Sequence, residues 1–159
     1  MTGLLISLLI GQGLFARRFV APRQEWGMCV TQTSDGGYAL VGTTWSFGVG
    51  CDILFIKLDP QGNLEWARAF GGSDYEYPCS VIQSSDGGYV IAGGTNSFGY
   101  QPPYYDFLVF KLSLAGDIEW ARTYGWDRDE MPDAMIQVSG GNYAIAGYTS
   151  SIGSVRNLV

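Results

Sequence analysis

The chain repeats itself. Shifted by 54 positions, residues 52–99 lie on residues 106–153 without a gap, and 23 of these 48 positions are identical. Shifted by 51, residues 15–48 lie on residues 66–99. SDGGYALVGTTWSFG at 34–48 returns as SDGGYVIAGGTNSFG at 85–99 and as SGGNYAIAGYTSSIG at 139–153. A second signature, KL-x3-G-x2-EWAR, occupies 57–68 and again 111–122. The two periods differ by three residues, and the difference falls between Gly99 and Asp106, which reads as a loop insertion. A fixed period of this length means one supersecondary unit stacked on copies of itself.

Each period reads as four short strands. In the middle copy they are expected at 79–83, 89–95, 107–112 and 118–124. The SSDGG turn separates the first two, because Asp-Gly-Gly supplies the positive φ angles of a tight hairpin. The third is almost wholly apolar, as suits a strand covered on both faces. No stretch has helical periodicity. Twenty-three glycines, 14% aromatic and only 15% charged residues fit many short strands joined by tight turns. Four strands per roughly 50 residues is the length of a β-propeller blade. The expected fold is therefore all-β, with about three four-stranded antiparallel blades at 15–65, 66–119 and 120–159.

The last of these blades is short, and residues 1–14 restore it to one full period. Propellers usually have four to eight blades, so three are too few for an ordinary ring. Either two chains combine into six blades, or the chain is a fragment of a longer array, or it closes in a small form. Strand three of the last copy would start at Asn157 and be completed by the Leu4–Leu8 run or by another copy. The apolar run at 4–10 is too short to span a bilayer. It reads either as a signal-peptide core, though no Lys or Arg precedes it, or as a closing strand. The expected location is secreted or at the cell surface.

Nine basic and fifteen acidic residues give a net charge of −6, with no basic run. Nucleic acid and anionic membranes are poor partners for such a surface. There is no histidine, which excludes every mechanism that needs an imidazole. Cys29, Cys51 and Cys79 form no CxxC pair, so a zinc site is not expected; they read as small buried residues, or as one bridge and one free thiol. No G-x-S-x-G elbow, P-loop or dinucleotide fingerprint occurs. The chain is expected to be non-catalytic, without a cofactor.

The candidate binding residues fall in the longer loops. They are Trp45, Phe47, Tyr75, Tyr77, Tyr100, Tyr104, Tyr105 and Trp126, interleaved with carboxylates. Aromatic faces beside carboxylates can stack on sugar rings and bind their hydroxyls. The alternative is that most of these rings lie between blades. Glu25, Glu76 and Glu130 share one repeat position, which suits either a structural acceptor or a ring of carboxylates for a cation. Lys57 with Glu65, and Lys111 with Glu119, are expected to be exposed cross-strand neighbours of little energetic weight.

The repeat resembles tandem motifs of the type SDGGY-x3-G…D-x-L-x2-KLD-x2-G-x3-W found in bacterial and archaeal secreted proteins. Its LD-x2-G-x3-W segment is similar to the tryptophan-docking motif of quinoprotein propellers, in which the Trp packs between adjacent blades. By position this implies docking roles for Trp66 and Trp120, with Phe15 in the first copy. The quinoproteins' cofactor and metal ligands have no counterpart here. DPQGNLEW at 59–66 also resembles the DGNLVLY stretch of bulb-type lectins, but their Q-x-D-x-N-x-V-x-Y signature is absent. These readings leave three functions: a protein-interaction or self-assembly module, a carbohydrate-binding module, or a hydrolase or quinoprotein-type enzyme.

Overall fold

The computed structural model describes residues 4–10, 13–19, 21–99 and 103–151, with side chains at 19 and from 21 onward. Within these residues the protein is all-β: twelve strands, all paired antiparallel, and one 3-10 turn at Ser139–Gly141. The strands are β1 Leu4–Ile10, β2 Gly13–Phe19, β3 Glu25–Gln32, β4 Tyr38–Thr44, β5 Asp52–Leu58, β6 Leu64–Phe70, β7 Glu76–Gln83, β8 Tyr89–Thr95, β9 Asp106–Leu112, β10 Ile118–Tyr124, β11 Glu130–Gln137 and β12 Tyr143–Thr149. They form two complete four-stranded sheets, β3-β4-β5-β6 and β7-β8-β9-β10. Two two-stranded sheets, β1-β2 and β11-β12, complete the set. Asn157 lies outside the described residues.

The units stack in chain order because their middle strands are apolar on both faces. Alternate residues of a strand point to opposite faces. Ala39 and Val41 of β4, with Ile53 and Phe55 of β5, meet Tyr89 and Ile91 of β8 and Leu108, Phe110 and Leu112 of β9 in one core between the two complete sheets. On the other face of the first sheet, Tyr38, Leu40, Leu54 and Ile56 pack with Phe19 of the N-terminal hairpin. On the far face of the second, Val90, Ala92 and Val109 meet Met135 of β11. Both complete sheets are thus covered on both sides, which is why β4, β5 and β8 are buried along their whole lengths.

The first strand of each repeat starts earlier than expected: β7 begins at Glu76, three residues before the expected start at 79. A β-bulge hides the alternation. One extra residue, Met28, Cys79 or Asp133, interrupts pairing at the same place in each repeat. Opposite it stands Gly42, Gly93 or Gly147, where a Cβ would lie within 2.4 Å of a carbonyl oxygen of the bulged strand. That close approach accounts for the repeated glycine of the second strand.

Trp66 lies at the junction between the complete sheets. Its indole stacks on Phe55 with centroids 4.7 Å apart and meets the edge of Tyr89 at 6.0 Å. The turn at Gly116 of the second sheet closes over it, with room for no side chain. Arg68 donates to the Gly116 carbonyl at 2.8 Å and to Asp117 at 2.7 Å. The equivalent Trp120 is half-buried and contacts Tyr143 at 6.3 Å, with no second turn above it among the described residues. Both indoles are less buried than a core tryptophan, so the structure reduces their expected enclosure. Phe15 has no described side chain. Trp66→Ala should lower unfolding stability in urea by about 3–5 kcal/mol, and Trp120→Ala by less. Equal losses would show that the covering turn adds nothing.

Candidate functional site

Glu25, Glu76 and Glu130 are all buried at the starts of β3, β7 and β11. Each accepts a hydrogen bond from the threonine ending the next strand: Thr44 at 3.4 Å, Thr95 at 2.7 Å and Thr149 at 2.7 Å. Ser46 and Ser151 donate to Glu25 and Glu130 as well. Backbone amides of Gly72 and Trp126 donate to Glu76 and Glu130 at 2.8 Å. Through these bonds each glutamate ties its own loop to the start of its strand. Among the described residues no group of three or more His, Cys, Asp and Glu side chains is placed to hold a metal ion.

Glu76 also stands beside Asp52 across the junction, and a Cβ on Gly71 would touch both carboxylates. Asp52 is 5% exposed, and its Oδ1 has no hydrogen-bond partner. Burial, and then the Glu76 charge, push its pKa above the ordinary carboxylate value. The folded state therefore holds this proton more tightly than the unfolded chain. The carboxylate's penalty is absent below the unfolded pKa of about 3.9 and grows as the pH rises above it.

The aromatic candidates separate into groups. Tyr75 and Tyr77 lie parallel, 2° apart with centroids 6.4 Å apart, and Tyr105 tilts against Tyr77 at 5.9 Å. These three rings belong to one repeat, at the starts of β7 and β9, and form one continuous patch. Tyr75, 39% exposed, is its most open ring; Tyr104 is exposed beside Tyr105 in the chain. Burial holds the Tyr105 hydroxyl protonated, with its pKa pushed up to about 12. Trp45 makes an edge contact with Trp26 at 5.4 Å. Phe47 is exposed and Trp126 is half-buried, while Tyr100 lies outside the described residues.

The lysines overturn the expectation of exposed pairs. Lys57 is only 2% exposed and bridges Asp35 at 2.9 Å and Glu65 at 3.0 Å. Lys111 repeats the arrangement with Asp86 and with Glu119 at 2.7 Å. The sequence shows the Lys-Glu pair but conceals the SDGG aspartate, which comes from a turn 22 residues before Lys57. A bulge in the fourth strand leaves Glu65 and Glu119 out of the ladder, and their carboxylates reach the lysines. Burial alone would lower the Lys57 pKa, but the two carboxylates outweigh it and the net shift is upward. Bonds from Lys111 and then Ser84 pull Asp86 down to about 2. The stability linked to Asp86 is therefore present above about pH 3.9 and is lost as the pH falls towards 2.

The thiols are all free. Burial raises Cys51 to about 11 and Cys79 to about 12, which leaves them protonated and poorly nucleophilic near neutrality.

A concavity lies between the second complete sheet and β11-β12. It encloses about 640 Å³, and Val109, Trp120, Tyr124, Tyr143 and Ile145 form its apolar lining. At the other junction the corresponding place is filled by the Gly116 turn over Trp66. Arg122, the equivalent of Arg68, donates among the described residues to the carbonyl of its neighbour Ala121 at 2.8 Å. Among the described residues no outer strand pair stands beside β12.

Three variants check these assignments. Removing both carboxylates, with Asp35→Asn and Glu65→Gln, strands a buried ammonium and should cost about 3–5 kcal/mol in urea unfolding. Lys57→Met leaves two half-exposed carboxylates that water can solvate, and should cost less. The reverse order would contradict the triad. Asp52→Asn should raise the urea midpoint more at pH 7 than at pH 4, and an equal change at both would show that Asp52 carries no burial penalty. No family model matches the chain, and no curated protein matches it.

Proposed function

We propose that this protein is a non-catalytic interaction module of the β-propeller type, which associates with protein through unfinished blades at the two ends of its stack. The single observation carrying this reading is the pair of half-sheets. β12 pairs only with β11, and β1 only with β2, among the described residues. An open strand edge with an apolar groove beside it is a template for pairing with another chain. The lack of any histidine and the high thiol pKa values of Cys51 and Cys79 support a non-catalytic role. The repeat's resemblance to secreted propeller proteins supports a place outside the cell or at its surface.

A second reading rests on the Tyr75, Tyr77 and Tyr105 patch. Two parallel tyrosines with an exposed outer face suit stacking on a sugar ring. A glycan array would reveal it as a saturable signal lost in Tyr75→Ala.

Sedimentation of the full-length protein tests the interaction reading. The expected result is a species heavier than the 17.3 kDa chain that dissociates when Ile145→Lys puts a charge in the groove. A protein that remains monomeric at every concentration, both purified and after cross-linking in its native extract, would contradict it.

A further inference from the structure

We infer that the partner of the β11-β12 half-sheet is the β1-β2 hairpin of a second copy of this chain, and that two chains exchange hairpins reciprocally. This rests on the interaction reading above and names its partner.

The first observation is complementarity of form. In both complete sheets, strands one and two form an inner pair and strands three and four an outer pair. β11-β12 is the inner pair of the third repeat by sequence. β1-β2 matches an outer pair: Gly13–Phe19 aligns with Leu64–Phe70, and Ser7 opposes Ala16 as Ile56 opposes Ala67 and Phe110 opposes Ala121. The hairpin also lies where an outer pair should, with β1 near β3 and Phe19 on the face of the first complete sheet. Yet β1 and β12 of one chain belong to separate sheets.

The second observation is complementarity of charge. Both complete sheets hold a triad in which the nearly buried strand-three lysine meets the half-exposed turn aspartate and strand-four glutamate. Each half-sheet lacks its share of that triad. Gly140 stands where the other repeats have Asp35 and Asp86. The strand LLISLLI has no lysine, and GLFARRF has no carboxylate; Leu8 opposes Phe15 as Lys57 opposes Trp66. A strand three bearing the repeat's lysine would bring an ammonium to a half-sheet without its turn aspartate, and unpaired burial of a charge is costly. The N-terminal hairpin brings none. Two half-sheets that have lost the same ion cluster fit each other better than either fits an ordinary copy.

Among the described residues each chain holds two complete sheets and one half-sheet of each kind. Each chain then gives its hairpin to the other, in two equivalent junctions related by a two-fold axis.

Disulfide trapping in the full chain tests this. Leu40 faces Ile56 and Ile91 faces Phe110 in the complete sheets, so Ile145 should face Ser7 of the second copy. A chain carrying both Ser7→Cys and Ile145→Cys should oxidise mainly to a covalent dimer, while each single variant should not. The unmodified protein should sediment as a dimer. A heavier species that forms without this cross-link would overturn the partner assignment and leave the interaction reading standing. So would an associating mature protein whose intact mass lacks the hairpin. A monomer throughout would overturn both.

Discussion

Everything in this structure depends on how one sheet covers the next. A four-stranded sheet with apolar residues on both faces of its middle strands cannot exist alone in water. Tyr38, Leu40, Leu54 and Ile56 need cover on one side, and Ala39, Val41, Ile53 and Phe55 on the other. The units must therefore stack, and every unit at an end of the stack poses the same problem again. The two complete sheets solve it for each other. The half-sheets at the ends solve it for the outer faces but leave their own edges open.

At the finished junction, polar groups fix the register of the apolar contact. Arg68 reaches the turn of the following sheet; the Cys51 amide donates to the Asp74 carbonyl, and the Glu76 amide donates to the Cys51 carbonyl. The buried Lys57 and Lys111 tie together three parts of one sheet that are distant in sequence. Buried ions are weak evidence of stability, because desolvation offsets their attraction. Their consequence here is selectivity: a sheet containing the lysine requires both its carboxylates. The proposed composite sheet, assembled from Gly140 on one chain and Leu8 on another, is free of that requirement.

Much of this was legible in the residues. The repeat itself gave the strand count per unit, and the limits of β8 and β10 agree with the expected 89–95 and 118–124. The apolar third strand announced its two-sided burial. What the sequence concealed were contacts between positions far apart along the chain. Asp35 reads as a plain turn residue until the fold brings Lys57 to it, and Arg68 shows no partner until the next unit's Asp117 arrives. The bulges at Met28, Cys79 and Asp133 break the alternation that marks a strand, so β7 starts earlier than its pattern suggests. The aromatic loop residues could not be sorted from sequence, because stacking on a neighbour and waiting for a ligand use the same side chains.

The account's central claim is that β12 is an inner strand of a shared sheet. Amide hydrogen exchange of the full-length protein, followed strand by strand, tests it most directly. The account predicts that β12 is protected to the level of β4 and β8, and that this protection falls on dilution while that of β4 and β8 persists. Rapid exchange of the outward amides of β12 at every concentration would contradict it.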